Sequence, residues 1–152
     1  METNDNQTVS LLNDLIRINN DRIEGYERAM SETDDTQLKS VFNTMAQESR
    51  RFKNELIGEV MRLDGTPEEG TTISGKIFRA WMDFKAAVAM KKRHAIIASC
   101  ETGEDVAVET YRDILNSGKL PSKFFSLVKE QETSLRKSHE RIKVMRDTVK
   151  SL

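Results

Sequence analysis

The sequence predicts an all-α chain: four long antiparallel helices packed as a bundle, with a shorter extra helix in the connection between the second and third. Three observations carry this. Apolar residues recur every three or four positions through four long segments, which is the spacing of one helical face. Only seven Gly and two Pro occur, and most fall between those segments, where turns are needed. SETDDT, between the first two segments, is short enough to make them antiparallel neighbours, whereas a polar linker and a further helical segment separate the second from the third.

The first seven residues are polar and are expected to fray. The first helix is predicted from an N-cap at Thr8 to about Ser31, with Val9, Leu12, Ile16, Asn19, Ile23, Tyr26 and Met30 on one face. Asp34 and Gln37 have the spacing of a capping box for the second helix. That helix, Leu38 to Leu63, is the centre of the chain. Leu38, Phe42, Met45, Ser49, Phe52, Leu56, Glu59 and Leu63 share its inner face, with Ser49 and Phe52 in the middle. Gly65 is the predicted C′ residue, with Pro67 just beyond.

TPEEGTT reads as a linker and Ile73–Met90 as the shorter helix, with Ile77, Trp81, Phe84, Ala87 and Val88 inward. The third long helix is predicted from Lys91 or Lys92 to about Asn116, with Ile96, Cys100, Gly103, Ala107, Tyr111 and Ile114 inward. Gly103 costs about 1 kcal/mol relative to Ala in mid-helix, so a bulky neighbour is expected against it, with Phe52 the candidate. Gly118 closes this helix and Pro121 opens the fourth at N1. The fourth helix turns Phe124, Val128, Gln131, Leu135, Ser138, Ile142, Met145 and Val149 inward.

The 152 residues fit a single domain, 1–152. Balanced charge, 24 Lys and Arg against 25 Asp and Glu, argues against a dedicated nucleic-acid binder, whose footprint is a basic patch. The lone cysteine, Cys100, excludes an intrachain disulfide and suits a reducing compartment. No secretory leader pattern opens the chain, and no apolar run approaches the ~20 residues of a membrane helix. The expectation is a cytoplasmic protein that binds neither membrane nor nucleic acid.

A carboxylate-bridged di-metal site in a helix bundle needs inward Glu residues on two helices and Glu-x-x-His on the other two. Only His94 and His139 are present, and three residues before them stand Lys91 and Arg136. Both copies of the motif are therefore missing. Glu27, Glu48 and Glu132 flank the inner faces and, with His139, make the alternative: a non-standard carboxylate site for iron or manganese. The plainer reading makes these carboxylates a solvated flank paired with Lys and Arg. Cys100 reads as a small buried hydrophobe. GTTISGKI has phosphate-loop spacing, but Ile77 stands where the Ser or Thr that binds Mg²⁺ belongs and no strand precedes it. Asn19, Ser49, Cys100, Gln131 and Ser138 interrupt otherwise apolar stripes and are expected to form a buried polar layer that fixes register.

LLNDLIRINNDRIEGYERAM, MAQESRRFKNELIGEVMRLDGTPEE, SGKIFRAWMDFKAAV, CETGEDVAVETY and SHERIKVMRD together resemble an uncharacterised bacterial family of ferritin-like four-helix-bundle proteins, a domain of unknown function. The resemblance spans about Val9 to Thr148. It implies a ferritin-like antiparallel four-helix bundle with one long crossover, and it implies no known activity. Against the wider ferritin-like superfamily, Asn19, Ser49, Phe52, Cys100 and Gln131 stand at replaced ligand positions; Glu132 is an alternative register for Gln131.

The functional expectation is a non-enzymatic, metal-free protein with no cofactor, acting through an unidentified protein partner or as a homodimer. The alternative is a di-metal oxidoreductase using Glu27, Glu48, Glu132 and His139. A third reading places a small-ligand pocket around Asn19, Ser49 and Cys100.

Overall fold

The computed structural model describes residues 3–72 and 74–150, with side chains from Asp5 to Thr148. It is all-helical, with five helices among the described residues: α1 (Thr3–Glu32), α2 (Thr36–Arg62), α3 (Gly75–Met90), α4 (Arg93–Asn116) and α5 (Ser122–Lys150). No described helix is long and apolar enough to cross a membrane. The predicted start of the short helix at Ile73 and the inward side chain of Val149 lie outside what is described.

Cross-helix pairs fix the directions. Asn19 bonds Tyr111, Arg22 bonds Glu104 and Tyr26 meets Cys100, so α1 and α4 are antiparallel. Arg22 also reaches Ser49, while Val9 lies against Gly65, so α1 and α2 are antiparallel. Tyr111–Gln131 and Glu101–Arg146 make α4 and α5 antiparallel. The long helices therefore run up, down, down, up, and the chain must return the full length of the molecule between α2 and α4.

The return path is pinned at each step. Asn13 holds Thr66 and Glu68, Arg17 holds Glu68, Asn20 donates to the Gly70 carbonyl, and the Thr72 N–H donates to Asp21. α3 then continues alongside α1 and packs against α1 and α4. Trp81 is its anchor. A Cβ at Gly25 would meet the indole at 2.7 Å and one at Gly103 would meet it at 3.4 Å, so glycines on α1 and α4 face the same ring. Gly103 thus serves Trp81 and not Phe52, because α3 is wedged at that level. Trp81 joins Tyr26, Phe42 and Phe84 in a cluster with ring centroids 5.4–5.6 Å apart, a spacing at which edge-to-face pairs attract.

Several helix ends differ from the sequence reading. Met1 and Glu2 lie outside the description, but residues 3–7 are helical, so Thr8 is a buried mid-helix residue and no cap. Asp35, one residue later than expected, caps α2 by accepting from the Leu38 N–H at 3.0 Å. At the α2 C-terminus Asp64, not Gly65, takes the left-handed conformation (φ 59°). The Asp64 and Gly65 N–H groups return to Met61 and Val60 carbonyls, which is a Schellman closure with Asp64 at C′. Gly65 is needed for space, since its Cβ would lie 2.7 Å from Val9. Gly118 does close α4 with φ 73°. α5 begins at Ser122, just after Pro121.

Candidate functional site

The centre of the molecule holds a charge. Arg22, on α1, is fully buried. Its position follows from the helical period: Leu15, Ile18, Arg22, Tyr26 and Ala29 form one buried stripe. Glu104 falls on the matching stripe of α4 with Cys100, Ala107 and Tyr111, and it too has no exposed surface. The guanidinium binds Glu104 through two bonds, Nε to Oε2 at 2.8 Å and Nη2 to Oε1 at 2.7 Å. Nη1 donates to Ser49 Oγ at 2.6 Å, and Nη2 also reaches Glu48 Oε1 at 3.1 Å. Glu48 in turn accepts from Ser134 and Ser138 on α5. One cation is thus held by residues of all four long helices, directly or through Glu48.

The electrostatics fit a fixed cation. Burial opposes the charge on Arg22, but Glu104, with Tyr26 and Glu48, more than offsets it, and the guanidinium stays protonated. A buried ion pair is tolerated when its remaining hydrogen-bonding groups are satisfied, and here both charges have partners. Burial, reinforced by Glu104, pushes the Cys100 thiol well above its usual range, and Cys100 lies 3.1 Å from Tyr26 Oη. It has no thiolate character at neutral pH.

A second polar chain lies one to two turns away. Asn19 Nδ2 donates to Tyr111 Oη at 2.8 Å, and Tyr111 donates to Gln131 Oε1 at 2.7 Å. Gln131 Nε2 donates to the Phe52 carbonyl and to Glu55. Phe52 itself is buried. Of the predicted polar layer, Asn19 and Gln131 are therefore joined through Tyr111, Ser49 and Ser138 are joined through Arg22 and Glu48, and Cys100 pairs with Tyr26. The layer is three connected groups spread along the axis.

The four residues of the alternative metal site do not meet. Glu27 pairs with Arg50 at 2.5 Å in a half-exposed position. Glu48 belongs to the Arg22 cluster. Glu132 is 1% exposed and holds Arg136 at 2.7 Å and Lys129 at 3.3 Å. His139 faces Asp105 on α4. The solvated-flank reading also needs correction, since Glu48 and Glu132 are drawn inward by the cations beside them. Charge neutralisation is what permits that burial. His94 is exposed. The main cavities beside the described residues are lined by other side chains, and Asn19, Ser49 and Cys100 are engaged by Tyr111, Arg22 and Tyr26 respectively.

Sequence reasoning missed Arg22 and Glu104, and it placed Tyr111 inward without giving it a polar partner. The signal was present: one Arg and one Glu each sit at helical spacing within an apolar stripe, with opposite charge and on separate helices. Admitting no charged residue to the first stripe moved it toward Val9, Ile23 and Met30, which are half-buried at its edge.

Residues 7–117 match the family model described as Domain of unknown function (DUF2383). The chain belongs to this family. No curated protein matches it. In this DUF2383 chain the matched segment contains Arg22, Glu48, Ser49, Glu104 and Tyr111, while Gln131, Ser134 and Ser138, which complete both polar chains, lie beyond it on α5.

Proposed function

We propose that this DUF2383 protein is a single-domain ferritin-like four-helix bundle with α3 in its crossover, that its interior cation is a guanidinium in place of metal, and that it acts without catalysis, by self-association. The observation that carries this reading is the saturated Arg22 cluster. The carboxylates that face the interior at this level, Glu48 and Glu104, are both committed to Arg22. A cation fixed to the backbone cannot exchange ligands or change oxidation state, so it provides structure and no turnover.

The surface for association is the outer face of α3. Phe78 and Met82 are 53% and 47% exposed, and Ala86, Ala89 and Met90 continue the exposed stripe toward the end of the helix. Single exposed apolar residues are ordinary, but a continuous stripe of them marks an interaction site. The occupant that fits is a second copy. Arg79 and Asp83 lie one turn apart beside the stripe. In an antiparallel two-fold pairing each Arg79 would meet the Asp83 of the other copy, so the surface is complementary to itself.

Sedimentation equilibrium of the full chain tests this reading. A dimer is expected, with Met82→Lys dissociating it, Asp83→Arg weakening it, and Arg79→Glu combined with Asp83→Arg restoring it. A monomer at all concentrations, or a dimer indifferent to Met82→Lys, would overturn it.

A further inference from the structure

We propose that Glu101, Asp105 and His139 form a surface site for a divalent cation of the borderline transition-metal class, typified by Zn(II), that clamps α4 to α5. This site is separate from the Arg22 cluster and from the α3 stripe. One ligand atom from each of the three residues lies within 4.8 Å of the other two. Glu101 and Asp105 are one helical turn apart on α4, which puts both carboxylates on one face, and His139 reaches them from α5.

The imidazole supplies the second observation. His139 Nε2 is shielded from solvent and has no hydrogen-bond partner, although it lies 2.7 Å from Asp105 Oδ1. A divalent cation shared by this ring nitrogen and the carboxylate oxygen would give both a partner. Glu101 Oε1, 4.0 Å from Nε2, completes the set, while Arg146 Nη1 takes the other oxygen, Oε2, at 2.5 Å and orients the carboxylate. Nδ1, the other ring nitrogen, has the Glu140 carboxylate 3.9 Å away, beyond hydrogen-bond distance.

Access and charge agree. A cavity of about 310 Å³ opens beside Asp105 and His139, and Asp105 is 63% exposed, so an ion can enter from solvent. Arg112 and Arg136 on the cavity wall face Glu132. One imidazole and two carboxylates suit Zn(II) or Co(II) better than Ca²⁺ or Mg²⁺, which take oxygen ligands alone. Three protein ligands leave a position for water.

The test uses the full chain without a histidine tag, stripped by chelation, with Zn(II) titrated calorimetrically and Co(II) followed by its visible d–d absorption. One saturable ion per chain is expected, with imidazole-type Co(II) bands. His139→Ala and Asp105→Asn should each weaken binding about tenfold or more, and His94→Ala should leave it unchanged. Zn(II) should raise the thermal midpoint of the wild type and not that of His139→Ala. No saturable binding, or binding that persists undiminished in His139→Ala, overturns the proposal. Circular dichroism of both variants separates loss of a ligand from loss of the fold.

Discussion

Arg22 and Glu104 are joined by two hydrogen bonds, 2.8 and 2.7 Å long, across the interface of α1 and α4, and neither side chain reaches solvent. Removing one partner leaves the other charged and buried. Arg22→Met is therefore expected to destabilise the fold by about 3–5 kcal/mol, and Glu104→Leu by a comparable amount. The double change Arg22→Met with Glu104→Leu removes both charges and should recover much of that loss, although Glu48 and Ser49 still lose a donor. Denaturant unfolding of the four proteins as a double-mutant cycle measures the coupling. Additive single effects would mean that the pair is not a unit.

The two glycines on Trp81 should behave differently. Both lie inside helices, where Ala is favoured over Gly by about 1 kcal/mol. At Gly25 a Cβ would lie 2.7 Å from Trp81 Cε3, and the indole is held by Tyr26 and Phe84. Gly25→Ala is expected to cost about 1–3 kcal/mol through overpacking. At Gly103 the nearest ring atom would be 3.4 Å away, an ordinary contact, so Gly103→Ala should be neutral or stabilising by up to about 1 kcal/mol. Thermal unfolding of both variants checks the ordering.

These glycines show where the sequence was legible. Helical period located all five helices, the turns between them and most of the core, because burial of an apolar face is encoded locally. The occupant of the Gly103 notch was not legible. It depends on α3 lying between α1 and α4, which no local pattern states. Arg22 was hidden for a related reason: a charged residue enters a core only when a partner meets it there, and that partner is 82 residues away. The capping errors at Thr8, Asp34 and Gly65 are of another kind, since several residues near each helix end have suitable chemistry and tertiary packing selects among them.

Asp21 gives the fold a distinctive pH dependence. It is buried under the crossover, where desolvation raises its pKa from 3.8 to about 7; the Thr72 N–H and Lys85 oppose the rise and Glu24 adds to it. A carboxyl with a folded-state pKa above its unfolded value contributes stability that is fully present below about pH 4 and lost as pH rises through 7. Asp21→Asn keeps an acceptor for the Thr72 N–H without the charge. Relative to wild type, the variant should therefore gain stability between pH 5 and pH 8, by roughly 2 kcal/mol. Unfolding curves across that range test this, and a pH-independent difference would contradict it.

The most direct test of the central claim, that a guanidinium stands in place of an interior metal, is the metal content of the His139→Ala protein, prepared without a tag, offered Fe(II) and Mn(II) anaerobically and then desalted. That variant removes the imidazole of the proposed surface site, so what it retains reports on the interior. Only traces of metal are expected, unchanged by Glu48→Ala or Glu132→Ala. A pair of ions per chain, lost on either of those substitutions, would show that the carboxylates around Arg22 rearrange to bind metal, and would contradict the account.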